Sequence, residues 1–165
     1  MAHTLDGTVG VSFGTVTAGT TTNGVNAVHA LGTVQIGSDG ATRRYVQAAE
    51  ALAINSWVAI DENDQASLMT KALVDAGYRI GVVHDILFAD NDIGWVVVDG
   101  PATAKIAAAC AADVQLYTTS TAGLADDTSA SQTLLRGCIS TVLGVTASTS
   151  AKKCLLTNAS STATP

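Results

Sequence analysis

The sequence predicts an all-β fold: a compact β-sandwich or β-barrel of short strands, at most one or two short helices, and an extended N-terminal arm. Three observations predict it. Turn signals such as Ser38-Asp39-Gly40, Asp61-Glu62-Asn63-Asp64 and Asp90-Asn91-Asp92 recur along the chain and separate runs too short for helices. Those runs either alternate in polarity or are continuously apolar, the two signatures of half-buried and fully buried strands. The composition is 47% apolar but only 4% aromatic and 13% charged, with 28 Ala, 22 Thr and 15 Gly in 165 residues. The charged share is about half the ~25% usual for globular domains, which excludes a charge-rich disordered chain. The chain divides into an arm (residues 1–28), a β-rich domain (29–158) and a C-terminal tail expected to fray (159–165).

In the arm, Val9, Val11 and Phe13 fall on one face of an alternating stretch, so it reads as a strand. Residues 31–36 and 42–47 flank Ser38-Asp39-Gly40 as a hairpin, the second strand carrying Arg44 and Val46 on one face and Arg43 and Tyr45 on the other. Trp57-Val58-Ala59-Ile60 is a short apolar strand closed by the acidic turn after it. Residues 71–76 form the best helix candidate, ended by Gly77. Residues 79–88 read as a strand and 93–98 as another, which Gly100-Pro101 punctuates. Residues 102–109 are Ala-rich but carry Thr103 and Ile106 between turns, and are assigned to a strand. Residues 114–118 and 123–126 form a hairpin around Ser120-Thr121-Ala122. A strand over 135–145, broken by Gly137 and Gly144, and a last one over 153–158 complete the set.

The charge pattern bounds the partners. A net charge of −6 with eight basic residues leaves no basic stripe to neutralise phosphates, so nucleic-acid binding is not expected. Residues 7–38 hold no Asp, Glu, Lys or Arg, but Thr20-Thr21-Thr22-Asn23-Gly24 is too polar for lipid, and no membrane association is expected. The first six residues lack a basic segment followed by an apolar one, so export by a signal peptide is not expected. Cys110, Cys138 and Cys154 are odd in number, widely spaced and without Cys-x-x-Cys, and are read as reduced structural thiols.

Candidate chemistry is sparse. The carboxylates of residues 61–64, 90–92 and 126–127 fall at hairpin tips, where Asp and Asn are used to hold turns. Asp90-Asn91-Asp92 lacks the remaining spacing of a calcium loop. His3, His29 and His84 form no i, i+4 pair, and His84-Asp85, taken as strand neighbours, point to opposite faces. Trp57 and Trp95 lie inside apolar runs and are read as core anchors rather than as a stacking platform. No nucleophile elbow or phosphate loop occurs. The reading is that the protein is not an enzyme and takes no cofactor or metal.

A series of segments resembles one family. Tyr78-Arg79-Ile80-Gly81-Val82-Val83, Ala89-Asp90-Asn91-Asp92-Ile93-Gly94-Trp95-Val96, Ala109-Cys110-Ala111-Ala112-Asp113-Val114-Gln115-Leu116-Tyr117-Thr118-Thr119, Thr121-Ala122-Gly123-Leu124-Ala125-Asp126-Asp127 and Arg136-Gly137-Cys138-Ile139 follow in order. Together they are similar to segments of the head decoration (cement) proteins of tailed bacteriophages. The resemblance covers about residues 78–140 and includes no catalytic motif. It implies a virion protein on the capsid exterior, assembled in the host cytoplasm, with the major capsid protein and further copies of itself as partners. A homotrimer is expected, with a dimer as runner-up. The expected capsid or oligomer contacts are Leu5, Val9, Val11 and Phe13 of the arm, which can add a strand to a neighbour's sheet edge. The alternatives are an adhesive or carbohydrate-binding β-module displayed on the virion, and a hydrolase assembled from distant turns.

Overall fold

The computed structural model describes residues 29–84, 86–141 and 150–161. Half of the residues are in strands and 4% in helix, so the all-β expectation holds. The elements are β1 (Val34–Ile36), β2 (Thr42–Ala48), β3 (Trp57–Ile60), β4 (Gln65–Leu68), α1 (Lys71–Asp75), β5 (Arg79–Val82), β6 (Ile93–Ile106), β7 (Val114–Thr118), β8 (Ala125–Asp126), β9 (Leu134–Ser140) and β10 (Ser150–Ser161). The expected arm, residues 1–28, and with it Leu5, Val9, Val11 and Phe13, lies outside the described residues.

Strands β2, β4, β3, β5 and β6 pair in that order and close on themselves through β6–β2, giving a five-stranded barrel. All pairings in it are antiparallel except β2–β4. Period-two alternation separates the two faces of its wall. Val46, Ala48, Val58, Ile60, Ala66 and Val96 fill the interior with Leu52 and Phe88, which the chain brings in from outside the wall. Trp57, Ile80, Val82 and Val97 point outward and are covered by a second set of strands, where Ala102, Ala104, Ile106, Leu116, Leu135 and Leu156 complete the larger core. That second set consists of the C-terminal half of β6 with β10, β9, β7 and β8, and returns to β6 through the parallel pair Ile106 with Ala125. β6 therefore belongs to both sheets.

This corrects the expected break after residue 98. Gly100-Pro101 does not end the strand; β6 runs through it for 14 residues. Gly100 adopts φ +87°, and a Cβ there would stand 2.7 Å from the Gly40 carbonyl oxygen, so the strand changes sheets where only glycine fits. At Pro101 the paired neighbour is Leu155 of β10, which leaves the other side of the strand open at that residue, a position that tolerates a missing N–H.

Other boundaries move for physical reasons. The strand expected over 79–88 ends at Val82; beyond it the chain leaves the sheet, so His84 is not on a strand, and Phe88 bridges back to Leu52. Strand β4 was not expected: Gln65–Leu68 is four residues long, and its Gln-Ala-Ser-Leu sequence gives a weak pattern. β9 spans Leu134–Ser140 because Gly137, at φ +71°, kinks the strand without ending it. β10 runs through Ser161, past residue 158 and into the segment expected to fray. Helix α1 forms where expected: the Thr70 hydroxyl accepts from the Leu73 N–H at 3.4 Å, and Gly77 takes φ +91° just beyond the end.

Candidate interaction edge

Four of the carboxylates singled out in the sequence hold backbone, and Asp64 holds the Arg44 guanidinium instead. Asp61 accepts from the N–H groups of Asn63 (2.9 Å) and Gln65 (2.8 Å), and Asp92 accepts from Ala89 (2.8 Å). These are side-chain turns of the kind Asp favours. Asp126 accepts from the Asp127 N–H and Asp127 from the Ala111 N–H, each at 2.9 Å. Cys110 completes a cluster with these two, with ligand atoms within 4.8 Å of one another. Burial and the two neighbouring carboxylates push its thiol up to about 11, so at neutral pH it is protonated and a poor nucleophile. Burial raises Cys154 to about 12 and Cys138 further still, and all three cysteines are free.

Both tryptophans are buried, Trp57 fully and Trp95 to within 4%. Trp95 packs at 4.9 Å from Tyr45 on the outer wall of the barrel, and His29 closes over both rings at 5.3 and 5.4 Å. Leu31 and Ile93 complete this small cluster. The residues that join the arm to the domain are thereby fastened across β2 and β6.

Two open depressions flank the barrel. One, of about 330 Å³, is lined by Arg44, Asp61, Glu62, Tyr78 and Arg79. The other, of about 340 Å³, lies where the β1–β2 turn meets β6 and β10, with Asp39, His84, Pro101 and Lys153 in its wall. The second is also lined by Cys154, a buried thiol that burial pushes up to about 12 and so keeps protonated at neutral pH.

The feature with the clearest capacity to bind is the edge of β1. β1 ends the order of paired strands, with β2 on one side and no further strand on the other among the described residues. The Thr33 carbonyl accepts from the Tyr45 N–H at 2.9 Å and the Gly37 N–H donates to the Ala41 carbonyl at 2.8 Å. Thr33 and Gly37 thus face β2, and by period two so does Gln35, which leaves the main-chain groups of Val34 and Ile36 directed outward. These two residues are 47% and 56% exposed. A free edge with exposed apolar side chains, bearing neither Lys nor Pro, is a template for another strand.

The residues expected to make contacts and this edge are different parts of one signal. The charge-free run over residues 7–38 contains both Val9, Val11 and Phe13 and the whole of β1. Val34 and Ile36 were missed because alternation marks a strand without saying whether a neighbour covers it.

No protein-family model, curated protein or solved structure matches the chain. The fold and the β1 edge therefore carry the functional reading together with the resemblance of residues 78–140. Among the described residues no helix is long and apolar enough to cross a membrane.

Proposed function

We propose that this chain is a structural virion protein that binds the outside of a tailed-phage capsid shell, through the major capsid protein, and stabilises the DNA-filled head. The observation that carries the reading is the ordered series of segments resembling the head decoration family. Those segments supply β5, the turn into β6, the first four residues of β6, β7, β8 and part of β9, so the likeness runs through the walls of both strand sets.

The physical character of the molecule supports the reading. An edge that pairs through main-chain groups suits repeated docking, because affinity then depends little on side-chain chemistry. Weak individual contacts gain from the many copies on a shell. With 13% charged residues, subunits meet without desolvating many charges, which favours a self-associated form. A trimer over local three-fold positions is the expected form, and a dimer at two-fold axes its rival. A net charge of −6 discourages binding to the packaged genome. A protein that binds only the mature shell stabilises that state by mass action.

An adhesive or carbohydrate-binding module would present an aromatic platform to solvent, whereas Trp57 and Trp95 are both buried, which favours decoration. Co-sedimentation with assembled heads tests the reading. Saturable binding to heads supports it; failure to bind heads, with retention on a glycan array, would replace it with the adhesive alternative.

A further inference from the structure

We propose that the open end of the five-stranded barrel binds a small carboxylate that carries several hydroxyl groups, the chemistry of a sugar acid. The site is distinct from the β1 edge, and its occupation does not depend on what the protein docks on.

The two ends of the barrel differ, and the pairing directions show how. The start of β2, the end of β3, the starts of β4 and β5 and the crossing of β6 at Gly100 lie at one end. The segments that follow β2 and β5 leave from the other end and send Leu52 and Phe88 into the interior as a plug. At the first end stands an open depression of about 330 Å³, with Ile60 of the interior in its lining. The mouth of a barrel is a usual place for a ligand, and this volume lies at the lower end of the ~300–1,000 Å³ of ligand pockets, room for one ring-sized unit.

Period two puts two arginines on the interior face of this end. Arg44 pairs with Val96 and lies two residues before Val46, and Arg79 pairs with Ile60. Val46, Ile60 and Val96 all belong to the barrel interior. A cation on that face must reach the opening to stay solvated, and both arginines line the depression. Asp64 holds Arg44 through its Nε, which neutralises that group and fixes it in place. Arg79 is exposed and enters no ion pair among the described residues. Its planar fork of N–H donors matches a carboxylate through two parallel hydrogen bonds.

The acidic side of the depression sets the rest of the ligand. Asp61 and Glu62 line it, and the Asp61 carboxylate is oriented by its Oδ1, which accepts from the Asn63 and Gln65 N–H groups at 2.9 and 2.8 Å. One unpaired guanidinium beside two carboxylates suits a ligand with a single negative charge and repels a dianion such as phosphate. Ionised carboxylates only accept, so the remainder of the ligand must donate. Hydroxyls spread around a ring reach two separate carboxylates, which the single ammonium of an amino acid does not.

Saturation-transfer NMR on the full chain tests this, with D-glucuronate, D-glucose, acetate, glycine and inorganic phosphate as probes. Glucuronate is expected to bind saturably. Glucose lacks the carboxylate and acetate the hydroxyls, and each is expected to bind at least tenfold more weakly. Arg79→Gln is expected to weaken glucuronate at least tenfold, and Arg79→Lys, which keeps the charge but not the fork, to fall between. Both variants are expected to melt with the wild type, because Arg79 is exposed. Absence of saturable glucuronate binding, or binding unchanged in folded Arg79→Gln, would overturn the proposal. Acetate or phosphate bound as tightly as glucuronate would replace it with a bare anion site, glucose with a neutral sugar site, and glycine with an amino-acid site.

Discussion

The Trp57 indole N–H donates to the Lys105 carbonyl at 2.8 Å, across 48 positions of sequence. Lys105 returns two further contacts: its N–H donates to the Asn55 carbonyl at 2.6 Å and its ammonium to the Ser56 hydroxyl at 3.0 Å. Gly123 adds a third link, accepting from the Trp57 N–H at 3.1 Å and donating to the Met69 carbonyl at 2.9 Å. The barrel and the second set of strands are thus tied at one place, around a tryptophan that is fully buried between them.

Trp57→Ala is expected to lose about 3–5 kcal/mol of stability, the range for removing a large buried aromatic side chain. Trp57→Phe keeps most of the packing and is expected to cost about 1–3 kcal/mol, from the Lys105 carbonyl left without its partner. Urea unfolding followed by fluorescence of Trp95 measures both. Equal losses would show that the hydrogen bond lost in both variants, and not the packing, separates the wild type from either of them.

Gly100→Ala and Gly40→Ala form a matched pair. Both glycines have positive φ, +87° and +78°. At Gly40 nothing lies within 4 Å of an added Cβ, whereas at Gly100 it would stand 2.7 Å from a carbonyl oxygen and 2.9 Å from the Ala41 Cα. Gly40→Ala is expected to cost about 1–2 kcal/mol from backbone strain alone. Gly100→Ala is expected to cost more, because the β1–β2 turn must shift as well. Thermal melts of the two variants side by side provide the check.

Arg43 is buried to 1% exposure and holds both Asp39 carboxylate oxygens, at 3.0 and 2.7 Å. Asp39→Ala removes this fork and is expected to destabilise by about 2 kcal/mol. That is below the ~3–5 kcal/mol of a fully buried pair, because the Asp39 side chain is 29% exposed. The loss is read as a fall in the urea midpoint at unchanged slope.

The cysteines set a limit at high pH. Burial holds Cys110 and Cys154 near 11 and 12 against an ordinary thiol value of 9.0. Above pH 9 the unfolded chain loses thiol protons that the folded chain keeps. The thiol contribution to stability is therefore full below pH 9 and is lost progressively as pH rises toward 11–12. Replacing the three cysteines with Ala or Ser is expected to flatten the stability profile between pH 9 and 11. At pH 8 the folded protein is expected to resist alkylation at all three positions, and the unfolded protein to react at each.

How much the sequence disclosed differs from element to element. Trp57–Ile60 and Val114–Thr118 were legible to the residue, because apolar runs bounded by strong turns leave little freedom. β6 was not: Gly100-Pro101 looks like a stop, and only the tertiary crossing of Gly100 over Gly40 shows why both residues serve inside a strand. Ala-rich residues 102–106 favour helix by local propensity and became strand because β10 pairs along them. For the interaction edge, the charge-free run over residues 7–38 was visible, but which strand would be left unpartnered is a property of the pairing order and not of any local window.

The central claim, that this protein stabilises a DNA-filled head from outside, is tested most directly by genome release on heating. Tailed-phage heads that co-sediment with the protein are stripped of it, and one half is re-decorated with purified protein. DNA release is then followed with an intercalating dye as temperature rises. The account predicts that re-decorated heads hold their DNA to a higher temperature than stripped ones, with the difference saturating as the added protein fills its sites. Release of DNA at the same temperature from stripped and re-decorated heads would contradict it.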